Sequence, residues 1–264
     1  MVEITHINSH LHPEKEIRLK KYILIYCSEG SIAVEIDGTK FVIPSNHVIT
    51  ITSGQFHKYF PTTNGKGLIL RFTYDFFCKN DIDIELIFEN GLFCHFDRNE
   101  VIDVSIQPHI QSYLESIEEE LHIQPYQHLI SIHAKIALIL VSINRAKIEH
   151  GDEIWKPNAL FLKFLELIRA EFHHGQPVKY YAEKLTTTEA KLNELSKIHA
   201  GKTAQQIIFG LIISEAQRLF LYEELSVKET AFALGFTDPF YFSNFFKKHT
   251  KLSPHEYKAK IGLR

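Results

Sequence analysis

The sequence predicts an α+β multidomain chain: a β-barrel at the N-terminus, a helical segment after it, and an all-α domain with two helix-turn-helix motifs at the C-terminus. Three observations predict it. Apolar residues alternate or run in short stretches over residues 22–96, then recur at helical spacing from Ile106. Two helix-turn-helix patterns occupy the end of the chain. Charge also divides between the halves: residues 155–264 carry 16 Lys+Arg against 11 Asp+Glu, and the first 154 residues carry 13 against 21. The overall charge of −3 argues against a polyanionic partner, but the basic C-terminal half is the footprint expected of phosphate contact. At 264 residues, 45% of them apolar, the chain is long enough for two ordinary domains with real cores.

The elements follow in order. Tyr22–Tyr26 is apolar throughout, and Ile32–Ile36 alternates. Asp37-Gly38 is a hairpin turn into Lys40–Ile43. Val48–Thr52 follows Pro44 and a polar turn, and Gly67–Phe72 and Leu92–Phe96 add further strands. Short strands punctuated by Gly, Pro and Asn suggest a closed β-barrel or a double-sheet jelly roll. One helix is expected over about Pro108–Leu121, and a second from Pro125 to about Ala146. Leu129, Ile132, Ile136, Ile139, Leu140 and Ile143 form a wide apolar face on the second. That face either covers the barrel or pairs two subunits. His150–Asn158 reads as a linker, so the expected divisions are 1–105, 106–148, 149–158 and 159–264.

In the first helix-turn-helix unit Val178–Lys184 is the supporting helix, Thr186-Thr187-Thr188 the turn, and Glu189–His199 the recognition helix. Thr188 is its N-cap and Gly201 its stop. Leu192 and Leu195 face inward, leaving Glu189, Ala190, Lys191, Asn193, Glu194 and Lys197 outside. Thr203 and Gln206 form a capping box for a long helix reaching about Tyr222. At 1.5 Å rise it spans roughly 28 Å, which sets the two recognition helices about 34 Å apart, one turn of DNA. The second unit opens on another capping box, Ser226 and Glu229. Ala231, Leu234 and Phe236 carry its stripe, and Gly235 ends its first helix. Asp238 caps the next helix and Pro239 begins it. Phe242, Phe245 and Phe246 point inward; Lys247 and Lys248 close the end.

Residues 177–258 resemble the DNA-binding domain of AraC/XylS-type transcription regulators. The resemblance is carried by Glu215-Ala216-Gln217-Arg218-Leu219, Val227 to Phe236, Phe242-Ser243-Asn244-x-Phe246-Lys247-Lys248, and Leu252-Ser253-Pro254-x-x-Tyr257-Lys258. Asn244 stands where members commonly carry Arg, and Lys251 where they commonly carry Gly. The order strand, Asp-Gly turn, strand, Pro turn, strand also looks like the cupin-like sensor barrel many such regulators carry. The resemblance implies a sequence-specific transcription regulator that binds double-stranded DNA, forms a homodimer through the helical segment, and meets RNA polymerase as a further partner. The implied DNA-binding residues are Lys191, Asn193, Glu194, Lys197, Tyr241, Ser243, Asn244, Lys247 and Lys248. Tyr241, Ser243 and Asn244 fall at base-facing positions, where Asn suits adenine and Lys suits guanine or phosphate. A small-molecule effector inside the barrel would meet His6, Tyr22, Tyr26, His57, Tyr59 and Arg71. A barrel filled by its own side chains, with constitutive DNA binding, is the alternative.

An enzyme on the barrel with a DNA-binding appendage would need a facial metal triad or a nucleophile with its base, and the sequence offers neither. His10-Leu11-His12-Pro13-Glu14 imitates a metal-binding H-x-H pattern but precedes the barrel strands. No metal, cofactor or catalytic residue is expected. Cys27, Cys78 and Cys94 are odd in number and form no C-x-x-C, which suggests a reducing compartment and no zinc finger. With no leader and no segment read as a membrane span, the expected location is the cytoplasm. Activation or repression is set by where the DNA site lies relative to a promoter.

Overall fold

The computed structural model describes residues 1–7, 17–61, 64–93, 99–152, 154, 156–171 and 176–261. The His10–Glu14 pattern, Cys94, Trp155 and the last three residues of the strand expected over Leu92–Phe96 lie outside the described residues. The chain forms two compact units, Met1–Pro157 and Asn158–Arg264.

The first unit contains strands β1 (Val2–Ile7), β2 (Ile17–Arg18), β3 (Tyr22–Glu29), β4 (Ser31–Ile36), β5 (Thr39–Pro44), β6 (His47–Ile51), β7 (Phe56–Tyr59), β8 (Lys66–Phe72) and β9 (Val101–Asp103). They pair antiparallel into two sheets, β1-β8-β3-β6-β9 and β2-β7-β4-β5. Neither order returns to its first strand, so two facing open sheets stand where a closed barrel was one expectation. Asp37 (φ 45°) and Gly38 (φ 79°) are both left-handed, as the two-residue β4–β5 turn requires. In β4, Ile32, Val34 and Ile36 are buried while Ser31, Ala33 and Glu35 are half-exposed, the period-2 pattern of a strand with one solvated face. With Ile7, Ile23, Ile25, Ile43, Ile49 and Ile69 they fill the space between the sheets.

β3 differs: Tyr22 to Cys27 are all buried, because the five-stranded sheet is covered on both sides. Its outer face carries Tyr22 and Phe72, which pack against Phe77, Phe88 and Phe93. The cover comes from α1 (Tyr74–Phe77), α2 (Asp81–Phe88), α3 (His109–Ile123) and α4 (His128–Glu149). α1 and α2 were not expected from the sequence. Leu92 and Phe93 are a buried turn rather than the start of a strand; their apolar character belongs to this second core.

α4 corrects two expectations. Ile132, Ile136, Ile139, Leu140 and Ile143 are each no more than 1% exposed in the single chain, so they are not free to form a seam between subunits. The face covers the sheet; of the six residues proposed for pairing only Leu129, at 52%, is exposed. α4 is also long and apolar enough to cross a membrane, with a mean hydropathy of 1.5, although the sequence was read as containing no such segment. Burial of its inner face against the sheet and α3 accounts for part of that composition; 39% of its apolar stretch is buried.

Candidate nucleic-acid interface

The second unit contains α5 (Ala159–Ala170), α6 (Val178–Lys184), α7 (Glu189–Ala200), α8 (Ala204–Tyr222), α9 (Val227–Ala233), α10 (Pro239–Thr250) and α11 (Pro254–Ile261). The pairs α6–α7 and α9–α10 are built alike. Each first helix has 7 residues and each second helix 12. Thr188 caps α7 by accepting from the Lys191 N–H, and Asp238 caps α10 by accepting from the Phe240 N–H. Complete capping boxes start α8 at Thr203/Gln206 and α9 at Ser226/Glu229. The Ser226 hydroxyl and backbone N–H hold the Glu229 carboxyl below the usual carboxylate range.

The two pairs differ at their left-handed positions. The first turn places Thr186 at φ 52°, where the second has Gly235 at φ 79°. α7 ends on Gly201 at φ 63°, whereas α10 ends on Lys251 at φ 67°. The lysine thus takes up the conformation its glycine counterpart adopts freely, at an energetic cost.

An aromatic core fixes the orientation of α10. Phe242, Phe245 and Phe246 are buried against Phe236, Phe209 and Phe220, and Tyr257 of α11 closes over Phe246. The opposite face is left to Phe240, Tyr241, Asn244, Lys247 and Lys248, all exposed. At 100° per residue these five lie in one arc with Asn244 near its middle. Ser243 stands at its edge, half-buried, with its hydroxyl donating to the Pro239 carbonyl at 2.8 Å. The hydroxyl retains acceptor capacity only. Burial, then Lys248 and Lys251, hold the His249 imidazole below its usual range, so the positive charge here belongs to the lysines.

α7 is less well equipped. Lys191, Glu194 and Lys197 are exposed as expected, but Lys191 and Glu194 pair with each other at 2.9 Å. Asn193, expected to touch DNA, is half-buried and engaged internally. Its amide donates to the Glu189 carbonyl at 3.0 Å, and its oxygen accepts the Ala204 N–H at 3.0 Å. It fastens α7 to the N-terminus of α8. Sequence reasoning missed two apolar residues on the outward faces, Ile198 at 64% and Phe240 at 81% exposure. The available signal for Phe240 was its spacing, four residues before Asn244.

The six residues expected to line an effector site divide between the two sides of the five-stranded sheet. His6 lies on the helix side, bound to the Glu118 carboxylate of α3 at 2.9 Å. Tyr22 is in the aromatic core there, and the Tyr26 hydroxyl reaches Gln111 of α3 at 3.4 Å. These three do not line the space between the sheets; alternation along β1 and β3 turns them away from it. His57, Tyr59 and Arg71 do face it, and the Arg71 guanidinium reaches the Tyr59 hydroxyl at 3.5 Å. Among the described residues, no group of three or more His, Cys, Asp or Glu is placed to hold a metal ion.

Residues 181–260 match the family model of a helix-turn-helix domain. Over 105 residues the chain is 28% identical to the HTH-type transcriptional regulator CdhR of Pseudomonas aeruginosa, covering 39% of this chain and 31% of that protein. It is 30% identical over 96 residues to the raffinose operon transcriptional regulatory protein RafR of Pediococcus pentosaceus, covering 36% and 35%. It is 25% identical over 118 residues to the HTH-type transcriptional activator RhaS of Escherichia fergusonii, covering 45% and 42%. The chain spans about a third of the length of the curated relatives it matches. Among solved structures, ToxT from Vibrio cholerae is similar over 99% of this chain and 97% of that one, at 14% identity and a TM-score of 0.43.

Proposed function

We propose that this chain, whose C-terminal domain is of the AraC/XylS tandem helix-turn-helix type, is a sequence-specific DNA-binding transcription regulator. One observation carries the reading: the twice-used arrangement of a short helix, a left-handed turn and a capped 12-residue helix, with the aromatic core turning Asn244 and its neighbours outward. α10 enters the major groove. Asn244 presents a donor and an acceptor suited to adenine, Phe240 an apolar ring suited to a thymine methyl, and Tyr241 a phenol. Lys247 and Lys248 neutralise phosphates, as do Lys191 and Lys197 on α7, so affinity falls steeply with salt. With its carboxylates and engaged Asn193, α7 positions the domain more than it reads bases.

The N-terminal unit is read as the sensor, and control by a small molecule is part of the proposal. A homodimer would use the outward side of α4. Ile130, Leu138 and Ile148 are 66%, 46% and 41% exposed there, with Ala134, Val141 and the exposed Arg145 among them, a largely apolar strip that a two-fold pair would cover. RNA polymerase is the partner wherever the site adjoins a promoter. We assign the chain no catalytic reaction and place it in the cytoplasm with its DNA.

Selection of bound duplexes from a random pool by the full chain tests the reading. Enrichment of a sequence whose preference relaxes at one base pair in Asn244→Ala supports it. Failure of the folded chain to enrich any sequence refutes it.

A further inference from the structure

We propose that Lys147 is the catch of an ion-pair latch that folds the chain leaving α4 back onto the N-terminal unit, and so sets the reach of the tether to the DNA-binding unit. The proposal rests on the reading of the chain as a dimeric DNA-binding regulator.

A lysine in the last turn of a helix ordinarily extends into water, where its charge complements the helix C-terminus. Lys147 is instead only 6% exposed. The chain beyond the helix covers it. Gly151, left-handed at φ 96°, reverses the direction, and its amide donates to the Ile148 carbonyl at 3.0 Å. The Asp152 amide then donates to the Lys147 carbonyl at 3.1 Å, and the Asp152 carboxylate reaches the Lys147 ammonium at 3.2 Å. Glu100, the residue before β9, pairs with the same ammonium. Two longer contacts hold the segment as well. The His150 imidazole lies 4.0 Å from the Asp103 carboxylate at the end of β9, and Lys156 lies 3.8 Å from Glu89, next to α2. The compact N-terminal unit accordingly extends to Pro157, although residues 149–158 read as linker in the sequence.

The latch opens as a unit. A buried ammonium stripped of its carboxylates is costly, so the turn at Gly151 and the lysine come free together. The carboxylates face no such cost: the Glu100 and Asp152 side chains are 49% and 44% exposed and hydrate readily. What opening releases is length. The eight residues from His150 to Pro157 span at most about 28 Å when extended. Two released tethers in a homodimer therefore add at most about 56 Å, more than one turn of DNA at about 34 Å. Latched, the two DNA-binding units are confined to a narrow range of separations between their sites. Unlatched, they reach sites a full turn farther apart, at the lower effective concentration of a longer tether.

Amide hydrogen exchange on the full chain tests the latch. The amides of His150, Gly151 and Asp152 should be protected in the wild type. Lys147→Met, which keeps the stem and removes the charge, should speed their exchange at least tenfold while leaving α4 from Ile136 to Ile143 unchanged. Asp152→Asn, which leaves Lys147 paired with Glu100, should do the same, and Lys147→Arg should retain the protection. Gel shifts on duplexes carrying two selected sites read the consequence. The wild type should favour one separation at least tenfold over a separation one turn longer. Lys147→Met and Asp152→Asn should reduce that preference below threefold, with affinity for a single site unchanged. Unchanged exchange in both variants overturns the proposal, as does a separation preference that survives in them or is absent from the wild type. A chain whose exchange follows these expectations but that binds no duplex refutes the regulator and not the latch. A chain that binds single sites but shows unchanged exchange refutes the latch and not the regulator.

Discussion

Asn193→Ala distinguishes a residue that holds the reader together from one that reads. The side chain makes two hydrogen bonds, to the Glu189 carbonyl and from the Ala204 N–H, both 3.0 Å and each joining backbone groups near a helix N-terminus. Each contributes on the order of 1 kcal/mol net, and the loss falls most heavily on the Ala204 N–H, which is buried and left without its acceptor. The loss is therefore about 2 kcal/mol from the C-terminal unit. For a unit of roughly a hundred residues, each kcal/mol lowers the melting temperature by about 4 °C, so its transition should fall by about 8 °C. Held well below that transition, the variant should bind its selected duplex with wild-type affinity and unchanged base preference. Asn244→Ala should do the opposite: an unchanged melting transition, with about 1–3 kcal/mol of discrimination lost at one base pair. Thermal unfolding and gel shifts on the same preparations read both quantities. An Asn193→Ala chain that keeps its melting temperature but loses selectivity would refute the reasoning and return Asn193 to the DNA surface.

Thr186→Gly should stabilise the C-terminal unit by about 1 kcal/mol, because a β-branched residue is strained at φ 52°; a denaturant midpoint that fails to rise counts against that strain. Ile136→Asp should leave the N-terminal unit unfolded, since a charge placed at a 0% exposed position has no partner, whereas Leu138→Asp should fold normally and run as a monomer in sedimentation. Phe240→Ala should reduce preference for thymine at one position, and replacing that thymine with uracil should weaken the wild type but not the variant. Stability also depends on pH through His57. Its folded value, about 4, lies below the unfolded value of about 6.5, so the unfolded chain takes the proton first. That stability is complete above about pH 6.5 and lost as the pH falls toward 4, by up to about 3 kcal/mol. The stability difference between wild type and His57→Gln should follow that curve, and a difference constant with pH would rule it out.

The parts of this fold that were legible in the sequence are those in which a local rule decides the outcome. The Asp37-Gly38 turn requires two left-handed residues and has residues suited to it. Ser226 with Glu229 and Thr203 with Gln206 are reciprocal hydrogen bonds within one helical turn, and both formed. β1, β2, β7 and β9 were missed: β2, β7 and β9, at 2, 4 and 3 residues, are too short to show a period, and β1 lies at the edge of its sheet. α1 and α2 were missed because their apolar residues answer to the aromatic core on the sheet, which is a tertiary demand. The α4 stripe shows the same limit from the other side. Periodicity showed that one face is buried, but identical side chains serve a sheet or a second subunit equally well, and only the sheet's position decides between them.

The functional residues follow the same division. Along α10 the inward positions are aromatic and the outward ones polar or basic, so period alone sorted Asn244, Lys247 and Lys248 from Phe242, Phe245 and Phe246. Phe240 escaped because an apolar residue at helical spacing ordinarily reads as core; its full exposure depends on the chain turning at Asp238 and Pro239, which leaves the first turn of the helix standing clear. Asn193 was misread for the complementary reason. It is polar and has outward spacing, but its partner Ala204 is eleven residues away across a turn, beyond any local pattern. In the N-terminal unit the obstacle is parity. His6, Tyr26, His57 and Arg71 look alike as polar or amphipathic residues among apolar ones, and a one-residue change in register exchanges the two faces of a strand. The registers Ile23↔Arg71 and Ile36↔His57 place Arg71 and His57 in one space and send His6 and Tyr26 to the helices. The two faces of this sheet, one toward the second sheet and one toward the helices, are therefore assigned by alternate positions of the same strands.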